Sequence, residues 1–247
     1  MEEWLEGEVL KNVKWTKNLA SLKIKAKINN HQAGQFTRIG LKVNDDFITR
    51  SYSYASAPKD EILEIIYVNI PNGKLSPILH NLEIGDKVSV MQQAIGYFTL
   101  DEIPDGENLW MLATGTALGV FLAILKTSIP WKRFKKVILI HSVRYAEELI
   151  YQDLIAEMKQ RYPDQFIYLN SVTRSKVKGS FNFRIPEGLL SKKFQETTQI
   201  EINEDSQFMI CGNPEMIKET TEVLKSFGLN KNRRAKPGNI TVERYWV

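Results

Sequence analysis

Several short segments of this 247-residue chain hold residue types suited to an anionic, aromatic ligand. Arg50-Ser51-Tyr52-Ser53 sets a guanidinium, which grips phosphate oxygens bidentately, beside a flat phenol ring and two hydroxyls. An amphipathic strand would carry the same types. Gly73-Lys74-Leu75-Ser76 adds a glycine turn with a cation and a hydroxyl. Two such segments in one half of the chain suggest a ligand with both a diphosphate and an aromatic system. Ala113-Thr114-Gly115-Thr116-Ala117-Leu118-Gly119 falls between a strand-like and a helix-like run. Glycine there lets the backbone approach a diphosphate, and a helix N-terminus offers N–H groups and partial positive charge. A tight strand–helix turn needs the same glycines, but the position at the first strand of an α/β half favours phosphate. Cys211-Gly212-Asn213-Pro214 repeats the arrangement. Cys211 then stands at a strand's carboxyl end, where open α/β sheets bind ligands, or is simply a small buried residue.

Other chemistries find less support. His31, His80 and His141 show no metal-ligand spacing, so no metal is expected, and no Ser-His-Asp order with supporting glycines occurs. Lys132, Arg133, Lys135 and Lys136 alternate with Trp131 and Phe134, but they match no nucleic-acid module and read as a basic helix end or loop. The single cysteine excludes an intrachain disulfide, a zinc ribbon and a four-cysteine iron–sulfur site, and it fits a reducing compartment. The acidic first residues lack the pattern of a signal peptide. Residues 108–125 carry no charge, yet Asn108, Thr114, Gly115, Thr116 and Gly119 interrupt them, so a strand, a turn and a buried helix are expected in place of a membrane span. A soluble, cytoplasmic protein is expected.

The elements that must position these residues divide in two. Residues 21–26 and 38–43 alternate with period two, and 63–68 and 87–91 form further strand-like runs between glycines. This pattern predicts an antiparallel β-barrel over residues 1–100. Residues 101–107 contain Pro104-Asp105-Gly106 and read as a linker. Over 108–247, apolar strands at 109–113, 137–140, 166–169 and 208–210 alternate with helices at 118–126 and 146–161, and a last helix runs from an Asn213 cap to Gly228. Such alternation predicts an α/β domain with a parallel sheet. With 43% apolar and 25% charged residues, the composition is that of a folded protein. The net charge of +4 conceals 12 basic against 14 acidic groups up to residue 105, and 21 against 15 beyond it. The surplus gathers at Arg174, Lys176, Lys178, Arg184, Lys192 and Lys193, and again at Lys231, Arg233, Arg234 and Lys236, which points to anionic ligands or acidic partners.

Taken in order, Arg50-Ser51-Tyr52-Ser53, Gly73-Lys74-Leu75-Ser76, Ala94-Ile95-Gly96-Tyr97-Phe98, the glycine turn from Ala113, Cys211-Gly212-Asn213-Pro214 and the ending Tyr245-Trp246 resemble the bacterial-type ferredoxin/flavodoxin–NADP reductases over essentially the whole chain. The resemblance implies an FAD-binding barrel followed by an NADP-binding α/β domain. Arg50 would hold the FAD diphosphate, with Ser51 beside it, Tyr52 on the flavin and Ser53 near its N5. Tyr67 joins the implied FAD set, and Lys74, Leu75 and Ser76 form the second diphosphate turn. Thr116 is similar to a family residue where flavin and nicotinamide meet. Gly115, Cys211, Gly212, Asn213 and Pro214 would line the nicotinamide nucleotide. Arg144, Arg174 and Arg184 match positions that bind the 2′-phosphate distinguishing NADP from NAD, and Thr173 joins the implied NADP set. Tyr245 and Trp246 would cover the flavin and stack on the FAD adenine, with Val247 following.

The implied activity is electron transfer between NADP(H) and ferredoxin or flavodoxin. In the resembling enzymes' scheme, a hydride from NADPH would pass to flavin N5 and single electrons would leave, with Ser53 and Cys211 expected to tune the hydride geometry. The cluster Lys231, Arg233, Arg234 and Lys236 would dock the acidic carrier, and the resembling protein would act as a monomer. Two readings compete: an NADPH-dependent flavin reductase or diaphorase serving another acceptor, and a non-catalytic flavin-binding module.

Overall fold

The computed structural model describes residues 3–245, and the chain forms two compact units. The first comprises Met1–Thr99 with Gly119–Thr127, and the second comprises Leu100–Leu118 with Ser128–Val247. No helix among the described residues is long and apolar enough to cross a membrane.

The first unit is built from β1 (Trp4–Lys14), β2 (Leu19–Lys25), β3 (Phe36–Val43), β4 (Asp46–Ser53), β5 (Leu63–Val68), the short helix α1 (Ser76–Asn81) and β6 (Lys87–Met91). Its strands form one antiparallel sheet in the order β4-β3-β6-β1-β2-β5. The sheet curls until its ends meet: Tyr54, just past β4, bridges Ile65 of β5, and the Ala55 N–H donates to the Glu64 carbonyl at 2.8 Å. Inside lie Leu22, Ile24, Ile39, Ile65 and Val90, each fully buried and each worth roughly 1.5–3 kcal/mol of transfer free energy.

The expected period-two strands are all present. β1 was not foreseen, because Glu6, Glu8, Lys11 and Lys14 obscure its alternation and only Gly7 and Val9 are buried. It forms because β2 and β6 pair with it on either side. Gly7 is required there: a Cβ would come 2.6 Å from Ile24 Cγ2 and 2.9 Å from Val90 Cγ2.

The second sheet contains β7 (Asn108–Thr114), β8 (Lys136–Val143), β9 (Phe166–Val172), β10 (Ser206–Gly212) and β11 (Ile240–Arg244). These strands run parallel in the order β11-β10-β7-β8-β9. The helices are α2 (Leu118–Leu125), α3 (Ile129–Arg133), α4 (Gln152–Arg161), α5 (Ile185–Leu190), α6 (Lys193–Thr198) and α7 (Pro214–Ser226). From Gly119 onward, α2 counts with the first unit. β10 is buried along its whole length, as a parallel strand covered on both faces must be. One face packs Trp110, Ile138 and Phe208 against Leu189, Phe194 and Leu224 of α5, α6 and α7.

One expectation is corrected. The helix predicted over residues 146–161 is two pieces. The Glu148 carboxylate accepts the N–H groups of Arg144 and Tyr145 at 2.8 and 2.9 Å, which closes a single turn at Ala146–Glu148. Tyr151 then takes a left-handed φ of 57°, and α4 starts at Gln152.

Candidate functional site

The strand order places the reversal of chain direction through the sheet between β7 and β10, with β8 and β9 to one side and β11 to the other. Ligands of open α/β sheets bind at this point, beyond the strands' carboxyl ends. Both glycine segments arrive there, since Cys211 pairs with Ala113 in register. Gly212 has φ +133, and a Cβ on it would run into Thr114 Oγ1. Without that Cβ, the Asn213 N–H donates to Thr114 Oγ1 at 2.9 Å and ties the two strand ends together. Asn213 Oδ1 accepts from the N–H groups of Glu215 and Met216, capping α7, and Pro214 occupies the first turn. Gly115 is exposed and left-handed at φ +56, and a Cβ there would meet nothing within 4 Å among the described residues.

Cys211 is fully buried. Burial above all, then the neighbouring Glu243 carboxylate, push its thiol well up, against a smaller opposing hydrogen bond from Tyr245. It therefore stays protonated at neutral pH and is no nucleophile. Glu243 lies opposite it on β11, with Oε2 4.0 Å from Sγ. Burial pushes the Glu243 carboxyl up to about 7. Tyr245 donates its hydroxyl to the Thr116 carbonyl at 3.3 Å, which brings this residue, just past β11, to the glycine turn. Trp246 lies outside the described residues. Sequence reasoning missed Glu243: an acid next to Arg244 reads as surface, and only the β10–β11 pairing carries it to Cys211.

Of the arginines, Arg144 and Arg174 come together at the carboxyl ends of β8 and β9. The Arg174 N–H donates to the Arg144 carbonyl at 2.9 Å, and both residues are exposed. Thr173 locks the pair through its N–H and hydroxyl, both donated to the Val143 carbonyl. The Arg174 guanidinium lies 6.0 Å above the Tyr145 ring. Arg184 directly precedes α5, and its guanidinium holds Glu219 of α7 at 2.7 Å, so its charge is already engaged. In the second basic cluster, Arg234 pairs with Glu102 at 2.8 Å. Arg233 and Lys236 are exposed and joined by two backbone hydrogen bonds.

In the first unit, β4 has no buried residue, and among the described residues its sheet pairing is to β3 alone. Arg50 and Ser51 are exposed, and Tyr52 and Ser53 are half-buried. Arg50 Nη1 donates to the Thr49 carbonyl at 2.7 Å, which steadies the guanidinium on its own strand. Burial, opposed by Arg50, pushes the Tyr52 phenol up to about 12. In the second turn, Ser76 Oγ accepts the Ile70 N–H at 3.0 Å, and a Cβ on Gly73 would crowd that oxygen at 2.9 Å. Leu75 is buried as the anchor and Lys74 is exposed. Tyr67 does not join this surface. It lies in the core, with its hydroxyl donated to Asn12 Oδ1 at 2.9 Å. Taken singly, the exposed Arg50 guanidinium and Lys74 ammonium and the nearby serine hydroxyls are groups able to hold a diphosphate.

Residues 7–98 match the family described as Oxidoreductase FAD-binding domain, and residues 111–222 match the Oxidoreductase NAD-binding domain. Fold and site thus define an oxidoreductase that joins an FAD-binding to an NAD-binding domain. The chain is 41% identical to the flavodoxin/ferredoxin–NADP reductase of Escherichia coli (strain K12) over 248 residues, covering 100% of both. It is 42% identical over 257 residues, again covering 100% of both chains, to the protein of that name from Buchnera aphidicola subsp. Schizaphis graminum. The structure of a ferredoxin NADP+ reductase from Neisseria gonorrhoeae, with bound FAD and NADP, superposes with a TM-score of 0.93 at 32% identity and full coverage of both chains. The chain belongs to the flavodoxin/ferredoxin–NADP reductase family.

Proposed function

We propose that this protein passes electrons between NADP(H) and a flavodoxin or ferredoxin through a bound FAD, as a cytoplasmic monomer. Residues 1–100 would serve as the FAD domain, 101–107 as the linker and 108–247 as the NADP domain. When bound, FAD supplies two-electron chemistry toward the nicotinamide and one-electron chemistry toward the carrier. The chain's own residues hold and orient. Arg50, Lys74 and Ser76 take the FAD diphosphate, and Ser51, Tyr52 and Ser53 take the ring along the free edge of β4. Gly115, Thr116, Gly212, Asn213 and Pro214 bring backbone to the nucleotide. Cys211 lines the nicotinamide site as a neutral thiol, with Glu243 behind it as a proton-holding acid. Tyr245, tethered to Thr116, covers the flavin, and Trp246 is assigned the adenine. Tyr67 supports the ring from the core.

The observation that carries the choice of NADP is the pair Arg144 and Arg174, exposed together where NAD-binding domains place an acidic ribose ligand. Arg184 completes the set once its partner Glu219 yields it to the phosphate. Arg144→Ala and Arg174→Ala should each raise KM for NADPH about tenfold or more, and leave KM for NADH nearly unchanged. Equal losses with both nucleotides would sink the assignment.

A further inference from the structure

His141 stands near the carboxyl end of β8, after the aliphatic run Val137, Ile138, Leu139 and Ile140. Its side chain is 0% exposed. Nε2 lies 3.0 Å from the Gly115 carbonyl oxygen. That oxygen can only accept, so the ring proton sits on Nε2 and is donated there. Nδ1 is left a bare acceptor with no hydrogen-bond partner among the described residues. Burial keeps the ring neutral, its pKa down at about 4.

An imidazole with one orphaned nitrogen is a poor choice for packing alone. A buried polar atom without a partner weakens the fold, and an aliphatic side chain of similar volume would fill the space without that cost. What His141 supplies lies at Gly115. The Gly115 carbonyl also accepts the Leu118 N–H, which closes the turn into α2. With the second donor from His141, the plane of the 115–116 peptide is fixed. The peptide is trans, so the Thr116 N–H points opposite to the carbonyl, away from His141.

We propose that His141 is a positioning residue for nucleotide binding: by holding the Gly115 carbonyl, it aims the Thr116 N–H and the left-handed glycine turn at the NADP dinucleotide. This rests on the reading of that turn as the nucleotide site. The histidine is kept for binding at the expense of stability, a trade that a purely structural residue would not show.

The test compares FAD-loaded wild type, His141→Leu, His141→Gln and His141→Asn by calorimetric titration with NADP+, alongside melting temperature and flavin content. Glutamine carries its amide about as far out as Nε2, whereas asparagine stops near Nδ1. His141→Leu should bind NADP+ roughly tenfold more weakly, with flavin content unchanged and a melting temperature at or above wild type. His141→Gln should recover most of the affinity, and His141→Asn should not. Wild-type affinity in His141→Leu would overturn the inference. So would a loss that follows a falling melting temperature and is not relieved by glutamine. Should the leucine variant not fold, the glutamine–asparagine pair decides, and equal affinities contradict the proposal. Wild-type protein that binds no NADP+ would remove the nucleotide-site reading itself, and this inference with it.

Discussion

Glu243 is a carboxylic acid that burial pushes up to about 7, beside a thiol that burial also holds protonated. The folded chain therefore keeps a proton between pH 4.5 and 7 that an unfolded glutamate has released. The sign follows from linkage: this group's contribution to stability is full below about 4.5 and is lost as pH rises through about 7, by at most ~3 kcal/mol. Melting curves from pH 5 to 8 should fall more steeply for wild type than for Glu243→Gln, and identical slopes would show that the folded protein carries the carboxylate. Cys211 was legible in the sequence because the strand ending at Gly212 fixes where it must stand. Glu243 was not, because its partner lies on another strand. The burial of Tyr67 was not legible, for a different reason. Five consecutive residues of β5, Leu63 to Tyr67, are buried, so alternation cannot say which side chains face a ligand and which face the core.

Among elements, α7 shows how local chemistry fixes a boundary. Asn213 satisfies two N–H groups at its start, Pro214 needs none, and Gly228 follows its end at φ +88. Asn213→Ala should cost about 1 kcal/mol in urea unfolding through the lost cap. The tie from β10 to β7 should survive, because it is donated by the backbone N–H of residue 213, which alanine keeps. An unchanged denaturation midpoint would contradict the capping role. All these signals lie within a few residues, which is why this helix was readable. The segment before α4 was not. Its apolar spacing is helical, but the Glu148 carboxylate captures two backbone N–H groups and ends the turn early. β1 likewise depends on partners distant in sequence, which no local pattern reports.

At the scale of the whole molecule, the small net charge is a sum of unlike parts. Beyond residue 105 the surplus cations include Arg144 and Arg174, proposed for a phosphate, and the exposed hairpin of Arg233 and Lys236, proposed for an acidic carrier. Arg234 contributes less, because Glu102 already neutralises it. Arg233→Glu with Lys236→Glu should slow carrier reduction several-fold at low salt and little at high salt, while ferricyanide reduction stays at wild-type rate. A parallel fall in both activities would refute docking there. As a whole, the chain joins NADPH oxidation to a one-electron carrier through FAD. Anaerobic stopped-flow spectroscopy of the purified protein tests this most directly. The purified protein should be yellow, with a flavin absorbance that bleaches on mixing with NADPH and returns as flavodoxin or ferredoxin is reduced. A colourless protein that takes up no FAD and leaves NADPH unoxidised would contradict it.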